Sequence, residues 1–286
     1  MSRSACQPER SVSGLGADAS RRIRLCVLDV DGTLLTSRHA VTAATREAVV
    51  RARARGLRVL LASSRGPREL HRILTSLDTP PLQIFVASQG AVTARYREGG
   101  DLEVLEHHPA PLTAALALVE TALASGICVN WYSGARWYVP HIDSIVEAEA
   151  RIVGHLPTVT DLTRMQVRPD KLLLISRTAD SAHLQALAAD LPTGLQAQSS
   201  KPTYLEITRS GVDKGSAVMS YCLRTGIHAS EVLAIGDGLN DLTLFSYAGV
   251  SVAPTSAPLK VRAAADFLTL SNDENGVAYA LEAIAH

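Results

Sequence analysis

The four residues Leu25-Cys26-Val27-Leu28 form an unbroken apolar run that stops at Asp29, with Asp31 and Gly32 close behind. A short continuous run of this kind predicts a strand buried on both faces, the habit of parallel sheets covered by helices. The pattern recurs along the chain. Val59 to Ala62 leads into Ser63-Ser64-Arg65, Ile84 to Ala87 is a third run, and Val232 to Ile235 leads into Gly236-Asp237-Gly238-Leu239-Asn240-Asp241. Helix signals lie between them. Thr42 can cap a helix whose Thr45, Ala48, Val49 and Ala52 share a face, with Arg51, Arg53 and Arg55 near its C-terminal end and Gly56 as its stop. A second helix is predicted from Pro67 to Leu77, short strands near Val250 and Phe267, and a last helix from about Gly276. This alternation predicts an α/β fold with a doubly wound, Rossmann-like parallel-sheet core.

Residues from about 90 to 205 read differently. A helix near 112–124 precedes two aromatic-rich runs, Cys128 to Tyr132 and Arg136 to Val139, on either side of Ser133-Gly134-Ala135. That is an antiparallel hairpin pattern. Lys171 to Ser176 and Tyr204 to Thr208 read as strands, and Ser181 to Asp190 as a helix. The expected organisation is a flexible leader at 1–20, a core from 21–90 and 209–286, and an inserted α+β cap at 91–208. Adjacent residues of a strand face opposite sides, so Trp131, Tyr132, Trp137 and Tyr138 cannot all face one site. His107-His108 has no carboxylate at ligand spacing and reads as a solvated loop.

With 286 residues, 47% of them apolar, the chain is long enough for two domains or one domain with a large insertion. Twenty-eight basic residues balance 28 acidic ones, which gives no bulk charge for binding nucleic acid or an anionic membrane. No stretch is long and apolar enough to span a bilayer, since Thr113, Glu120, Thr121 and Ser125 interrupt the best candidate. Four scattered cysteines form neither a disulfide framework nor a zinc pattern, so a cytoplasmic, reducing compartment is expected.

Polar residues gather where the apolar runs end: Asp29 and Asp31, then Ser63 and Arg65, then Asp237, Asn240 and Asp241, with Lys214 opening a helix after the insertion. In open parallel sheets, ligands bind outside the C-terminal strand ends. Several carboxylates packed together repel unless a cation neutralises them, and an all-oxygen set favours Mg²⁺. Lys214, the Ser63 hydroxyl and the amides of the Gly32 turn would supply donors for an anion. Together these make a phosphoryl-transfer environment. A strand-end Asp can act as nucleophile through an acyl phosphate, and a second carboxyl two residues later as acid and base.

Asp29-Val30-Asp31-Gly32-Thr33 resembles the first motif of the haloacid dehalogenase-like phosphatases. Ala62 to Arg65, Lys214, and Gly236 to Asp241 resemble the second, third and fourth, in order. The insertion resembles the larger α/β cap of the Cof-type sugar-phosphate phosphatase branch. Gln89-Gly90-Ala91, Gly211 to Gly215 and Ser271 to Val277 are similar to that branch as well, so the resemblance covers about residues 22–286. It implies Asp29 as nucleophile and Mg²⁺ ligand, Asp31 as acid/base with its carbonyl on the metal, and Ser63 and Lys214 holding the phosphoryl group. It implies Asp237 and Asp241 as metal residues and Asn240 as a phosphate contact; Gly32 and Arg65 join the substrate side. The chain departs from the family pattern at Ser63-Ser64, usually Thr-Gly, at Leu244, often Met, and at Pro254-Thr255, usually Asn-Ala. The implied activity is Mg²⁺-dependent hydrolysis of a small phosphorylated metabolite by a monomer or homodimer. A phosphomutase with the same aspartyl chemistry is the nearest alternative. A non-catalytic ligand-binding protein that retains the fold is the rival from another class, though a binder has no need of Asp31.

Overall fold

The structure, a computed structural model, describes residues 11–14, 22–78, 82–178 and 182–284. Its elements in chain order are β1 (Leu25–Leu28), α1 (Ala43–Ala54), β2 (Arg58–Ala62), α2 (Pro67–Ser76), β3 (Ile84–Ala87), β4 (Val92–Tyr96) and β5 (Leu102–His107). Then come α3 (Leu112–Ala124), β6 (Cys128–Ser133), β7 (Arg136–Val139), α4 (Ser144–Val153), β8 (Thr158–Val159), β9 (Lys171–Ile175), α5 (Ala182–Ala189), β10 (Leu195–Lys201) and β11 (Tyr204–Arg209). The chain closes with α6 (Lys214–Thr225), β12 (Val232–Ile235), α7 (Leu242–Tyr247), β13 (Val250–Pro254), α8 (Leu259–Ala264), β14 (Phe267–Thr269) and α9 (Gly276–Ala283). The class is mixed α/β with a parallel-dominated sheet, as the apolar runs predict. Two compact units are present, residues 1–60 with 222–286, and residues 61–221; the division falls inside β2.

In the first unit β14, β13, β12 and β1 lie side by side, all parallel, with Leu25 to Leu28 paired against Val232 to Ile235. All four β1 residues are fully buried, which is why the sequence there is apolar without alternation. Helix α1 begins where expected: the Thr42 hydroxyl accepts the Thr45 amide at 3.1 Å, and Thr45, Ala48, Val49 and Ala52 face inward. Helix α9 packs against it, and Arg51 meets Glu282 at 2.8 Å. Towards the N-terminus, Ser11 bridges to Leu268, and Val12 is fully buried in a short turn that meets β14 and α9. The rest of residues 1–20 lies outside the described residues.

In the second unit the end of β2 pairs parallel with β3 (Leu61↔Phe85), and β4 and β5 continue from β3 as antiparallel strands. The sequence reading leaves β4 and β5 unassigned. A separate six-stranded sheet runs β10-β11-β9-β6-β7-β8. One of its faces packs on α3 and α5 around Trp131, Leu172 and Leu174, and the other packs on α4 around Tyr132, Trp137 and Leu173. The hairpin register pairs Trp131 with Tyr138 and Tyr132 with Trp137, so the four aromatics divide between two cores. Trp131, Tyr132 and Trp137 are buried and Tyr138 packs against the first core. Their concentration in the sequence is explained by packing.

His107-His108 is not simply a solvated loop. His107 ends β5, and its Nε2 lies 2.6 Å from Oδ1 of the buried Asp170, a partner 63 residues away in sequence. Burial pushes the Asp170 carboxyl above its usual range, against the pull of His107 and of the Gly134 amide.

Within β6, Asn130 is fully buried; its side-chain amide donates to the Leu173 carbonyl of β9 and its Oδ1 accepts the Trp137 indole N–H of β7 at 3.0 Å. Asn130→Leu keeps the volume but leaves a buried indole donor unanswered. The expected cost is about 1–3 kcal/mol, read as a lower midpoint in urea unfolding followed by tryptophan fluorescence; an unchanged midpoint would refute it.

Candidate active site

Asp29 follows β1 directly, and its amide donates to the Ile235 carbonyl at 2.9 Å, so the parallel ladder continues one residue past the strand. On the neighbouring strand the Gly236 amide reaches the Val252 carbonyl at 3.2 Å in the same way. Both acid-bearing loops therefore leave the sheet from fixed positions. Oxygens of Asp29, Asp237 and Asp241 lie within 4.8 Å of one another. Asp29 and Asp241 are buried and Asp237 is half-buried.

Close approach of the loops explains the glycines. Gly32 has φ +80°, and a Cβ there would sit 2.3 Å from Asp237 Oδ2. A Cβ on Gly236 would sit 2.4 Å from the Asp241 carboxyl carbon. Both sites leave no volume for a side chain. The acids are held by donors: Thr33 Oγ1 donates to Asp237 Oδ1 at 2.8 Å, and the Gly238 amide donates to Asp241 Oδ2 at 2.9 Å. Three hard oxygen donors drawn into one largely buried corner fit a magnesium ion, whose charge would relieve their repulsion. Asp29, Asp237 and Asp241 would hold it.

The Asp31 carboxylate is not part of this trio. It is about one-third exposed, with His39 Nδ1 3.7 Å from its Oδ1. The Asp31 loop is tied down by the C-terminal stretch 271–275, since Asn272 donates to the Leu35 carbonyl, Asp273 accepts the Ser37 amide, and Asn275 accepts the Thr42 hydroxyl. Asn240 is buried beside Asp241. Leu244 is fully buried in α7, apolar where the family often has Met. Pro254 ends β13, and the next amide, Thr255, bonds to the Thr269 carbonyl.

Ser63, Arg65 and Lys214 stand in the second unit. Ser63 is buried just past β2; its amide donates to Val86, its carbonyl accepts from Gln89, and its hydroxyl oxygen accepts the Arg65 amide at 3.1 Å. Ser88 and Gln89 hold left-handed φ values of 50° and 59°. A Cβ on Gly90 would strike the Asp213 carbonyl at 2.2 Å, so this turn and the start of α6 pack backbone to backbone. Lys214, the first residue of α6, is fully buried.

Thr33 and His39 are the contacts that site-picking from sequence misses. Thr33 lies within the quoted first motif, so its signal was present; His39 is eight residues from Asp31 in a loop without periodicity. The described cysteines offer no nucleophile. Burial pushes the Cys26 thiol far up, the Cys128 thiol to about 11, and the Cys222 thiol upward as well.

Residues 26–281 match the haloacid dehalogenase-like hydrolases. The chain is 26% identical over 298 residues to the 5-amino-6-(5-phospho-D-ribitylamino)uracil phosphatase YwtE of Bacillus subtilis, covering 91% of this chain and 97% of that protein. It is 26% identical over 268 residues to the pyridoxal phosphate phosphatase YbhA of Escherichia coli, covering 89% and 96%. The crystal structure of a haloacid dehalogenase-like hydrolase from Bacteroides thetaiotaomicron matches with a TM-score of 0.78 at 28% identity, over 91% of this chain and 98% of that one. An acidic trio on parallel strand ends thus sits in an enzyme that cleaves phosphoric monoesters. The chain belongs to the haloacid dehalogenase-like hydrolase family.

Thr33→Val removes the hydroxyl that orients Asp237 and keeps the shape of a buried side chain. Loss of such an outer partner should weaken Mg²⁺ activation about 10–100-fold, measured as the Mg²⁺ concentration for half-maximal phosphatase activity. An unshifted Mg²⁺ requirement would show that Thr33 does not orient the metal site.

Proposed function

We propose that the protein hydrolyses the phosphate monoester of a small metabolite, a sugar phosphate or a cofactor phosphate, through an aspartyl-phosphate on Asp29. The observation that carries this reading is the clustering of Asp29, Asp237 and Asp241 on adjacent parallel strands, with Asp31 two residues beyond the first. In the first step an Asp29 carboxylate oxygen attacks phosphorus, the bond to the leaving oxygen breaks, and Asp31 gives that oxygen a proton. In the second, Asp31 takes a proton from water as the water oxygen attacks phosphorus, and Asp29 is released with inorganic phosphate. Mg²⁺, when bound by Asp29, Asp237, Asp241 and the Asp31 carbonyl, supplies neutralising charge for the incoming phosphate. The Ser63 hydroxyl, the Lys214 ammonium and the Asn240 amide donate to the phosphoryl oxygens, with Gly32 amide and Arg65 on the substrate side. Monoester hydrolysis is among the slowest uncatalysed reactions, with enhancements up to ~10²¹, which calls for all these groups at once.

In this reading residues 91–208 form a cap over a core of 21–90 and 209–286, and the cap excludes water from the site. The substrate is not read from the relatives, because two of them at 26% identity act on an aminouracil ribityl phosphate and on pyridoxal phosphate. No helix among the described residues is long and apolar enough to cross a membrane. The three described cysteines are free and buried, which supports a reducing, cytoplasmic setting. The expected state is a monomer or homodimer.

Asp31→Asn separates the two steps. Nitrophenolate leaves without a proton, so 4-nitrophenyl phosphate should give a stoichiometric burst followed by slow turnover. Alkyl phosphates need the acid and should react about 10²–10⁴-fold more slowly than with the parent. Equal losses on both substrates without a burst would remove Asp31 from the acid/base role. Wild-type activity that required a sugar bisphosphate would favour the phosphomutase instead.

A further inference from the structure

The loop Ser63-Ser64-Arg65 has its backbone polar groups answered from two directions. Four bonds are local to β2, β3 and the turn after β3: Ser63 amide to Val86, Gln89 amide to Ser63, Ser88 amide to Arg65, and Arg65 amide to the Ser63 hydroxyl oxygen. The fifth comes from far away. The Ser64 carbonyl accepts from Lys171 Nζ at 2.7 Å, and Lys171 is the first residue of β9, 107 positions along the chain in the inserted module.

Lys171 is a buried cation, its side chain 6% exposed. Its ammonium lies 3.1 Å from Glu206 Oε2, on the adjacent strand β11, and 4.9 Å from the centre of the Tyr132 ring. A Lys–Glu pair alone would satisfy a module core; the reach to a backbone carbonyl beside Ser63 is a separate feature. A peptide unit is planar and trans, so its C=O and the following N–H point in opposite directions from one rigid plate. The plate whose oxygen Lys171 grips is the one whose N–H, that of Arg65, points at the Ser63 hydroxyl oxygen. Fixing one end aims the other. With its oxygen accepting from the Arg65 amide, the Ser63 hydroxyl keeps its own O–H proton to donate. A cation on the carbonyl also polarises the unit and strengthens the N–H as a donor.

We propose that Lys171 is a positioning residue for the Ser63 hydroxyl, acting through the Ser64–Arg65 peptide unit. This rests on the reading of Ser63 as a phosphoryl contact. The inserted module thereby takes part in setting the phosphate-binding geometry.

The test is a double-mutant cycle in the full-length enzyme. Lys171→Met is combined with Glu206→Gln so that no buried carboxylate is left alone, and the pair is introduced with Ser63 present and with Ser63→Ala. With Ser63 present, kcat on 4-nitrophenyl phosphate should fall about 10–100-fold, as a misplacement of about 1 Å can cause, and inhibition by inorganic phosphate should weaken in parallel. In the Ser63→Ala enzyme the same pair should cost less than about 3-fold, because groups acting as one unit are not additive. Equal losses in both backgrounds, or none with Ser63 present, would overturn the proposal. A second measurement needs no turnover: hydrogen exchange of the Arg65 amide in the Lys171→Met, Glu206→Gln protein should quicken about 10-fold at unchanged melting temperature, and unchanged exchange overturns the proposal. Absence of phosphatase activity in the wild type would instead strike the proposed function, leaving the exchange result to judge Lys171.

Discussion

Three carboxylates drawn within 4.8 Å of one another are the constraint around which the first unit is arranged. At an effective dielectric near 20, each ionised pair at that distance repels by about 3 kcal/mol. Nothing in the acids themselves favours this arrangement. It is imposed by the parallel ladder, which fixes Asp29 and Gly236 one residue past their strands, and by backbone approaches that admit no Cβ at Gly32 or Gly236. The fully buried β1 strand and the helices around it therefore supply the apolar burial that offsets a repulsive corner. A divalent cation would convert that repulsion into affinity, and its binding would then add to the stability of the folded state.

The parts of the fold legible in the sequence share one property: their signal is local. The apolar β1 run, the Thr42 cap, the Ile84–Ala87 strand and the Gly-centred β6–β7 hairpin each carry their evidence within a dozen residues. The strand pair β4–β5 was not legible. In β5 no residue is buried, and Leu102-Glu103-Val104-Leu105-Glu106-His107 is neither an unbroken apolar run nor a strict alternation. Likewise His107 found Asp170 and Val12 found its place beside α9 through contacts more than 60 residues apart, which no window on the sequence reports.

The candidate site divides in the same way. Asp29, Asp237 and Asp241 could be picked out because each follows an apolar run, and the structure brings those three together. Thr33, whose hydroxyl does the orienting, was hidden as one more member of a motif. The aromatic pairs of the hairpin show the converse. A conspicuous concentration of Trp and Tyr invites a ligand, yet the two-residue period of a strand sends them to opposite cores. Conspicuous residues in a sequence are as often those that pack as those that react.

Strand β1 finds its partner β12 only after some two hundred further residues have been made. At a synthesis rate of about 5–20 residues per second, Asp29 precedes the strand that leads to Asp237 and Asp241 by roughly 10–40 s. The stretch 271–275 that anchors the Asp31 loop emerges later still. A chain that ends before residue 232 therefore carries Asp29 without Asp237 and Asp241. The first acid of the trio to be translated thus meets its two neighbours from residues more than two hundred positions further along the chain.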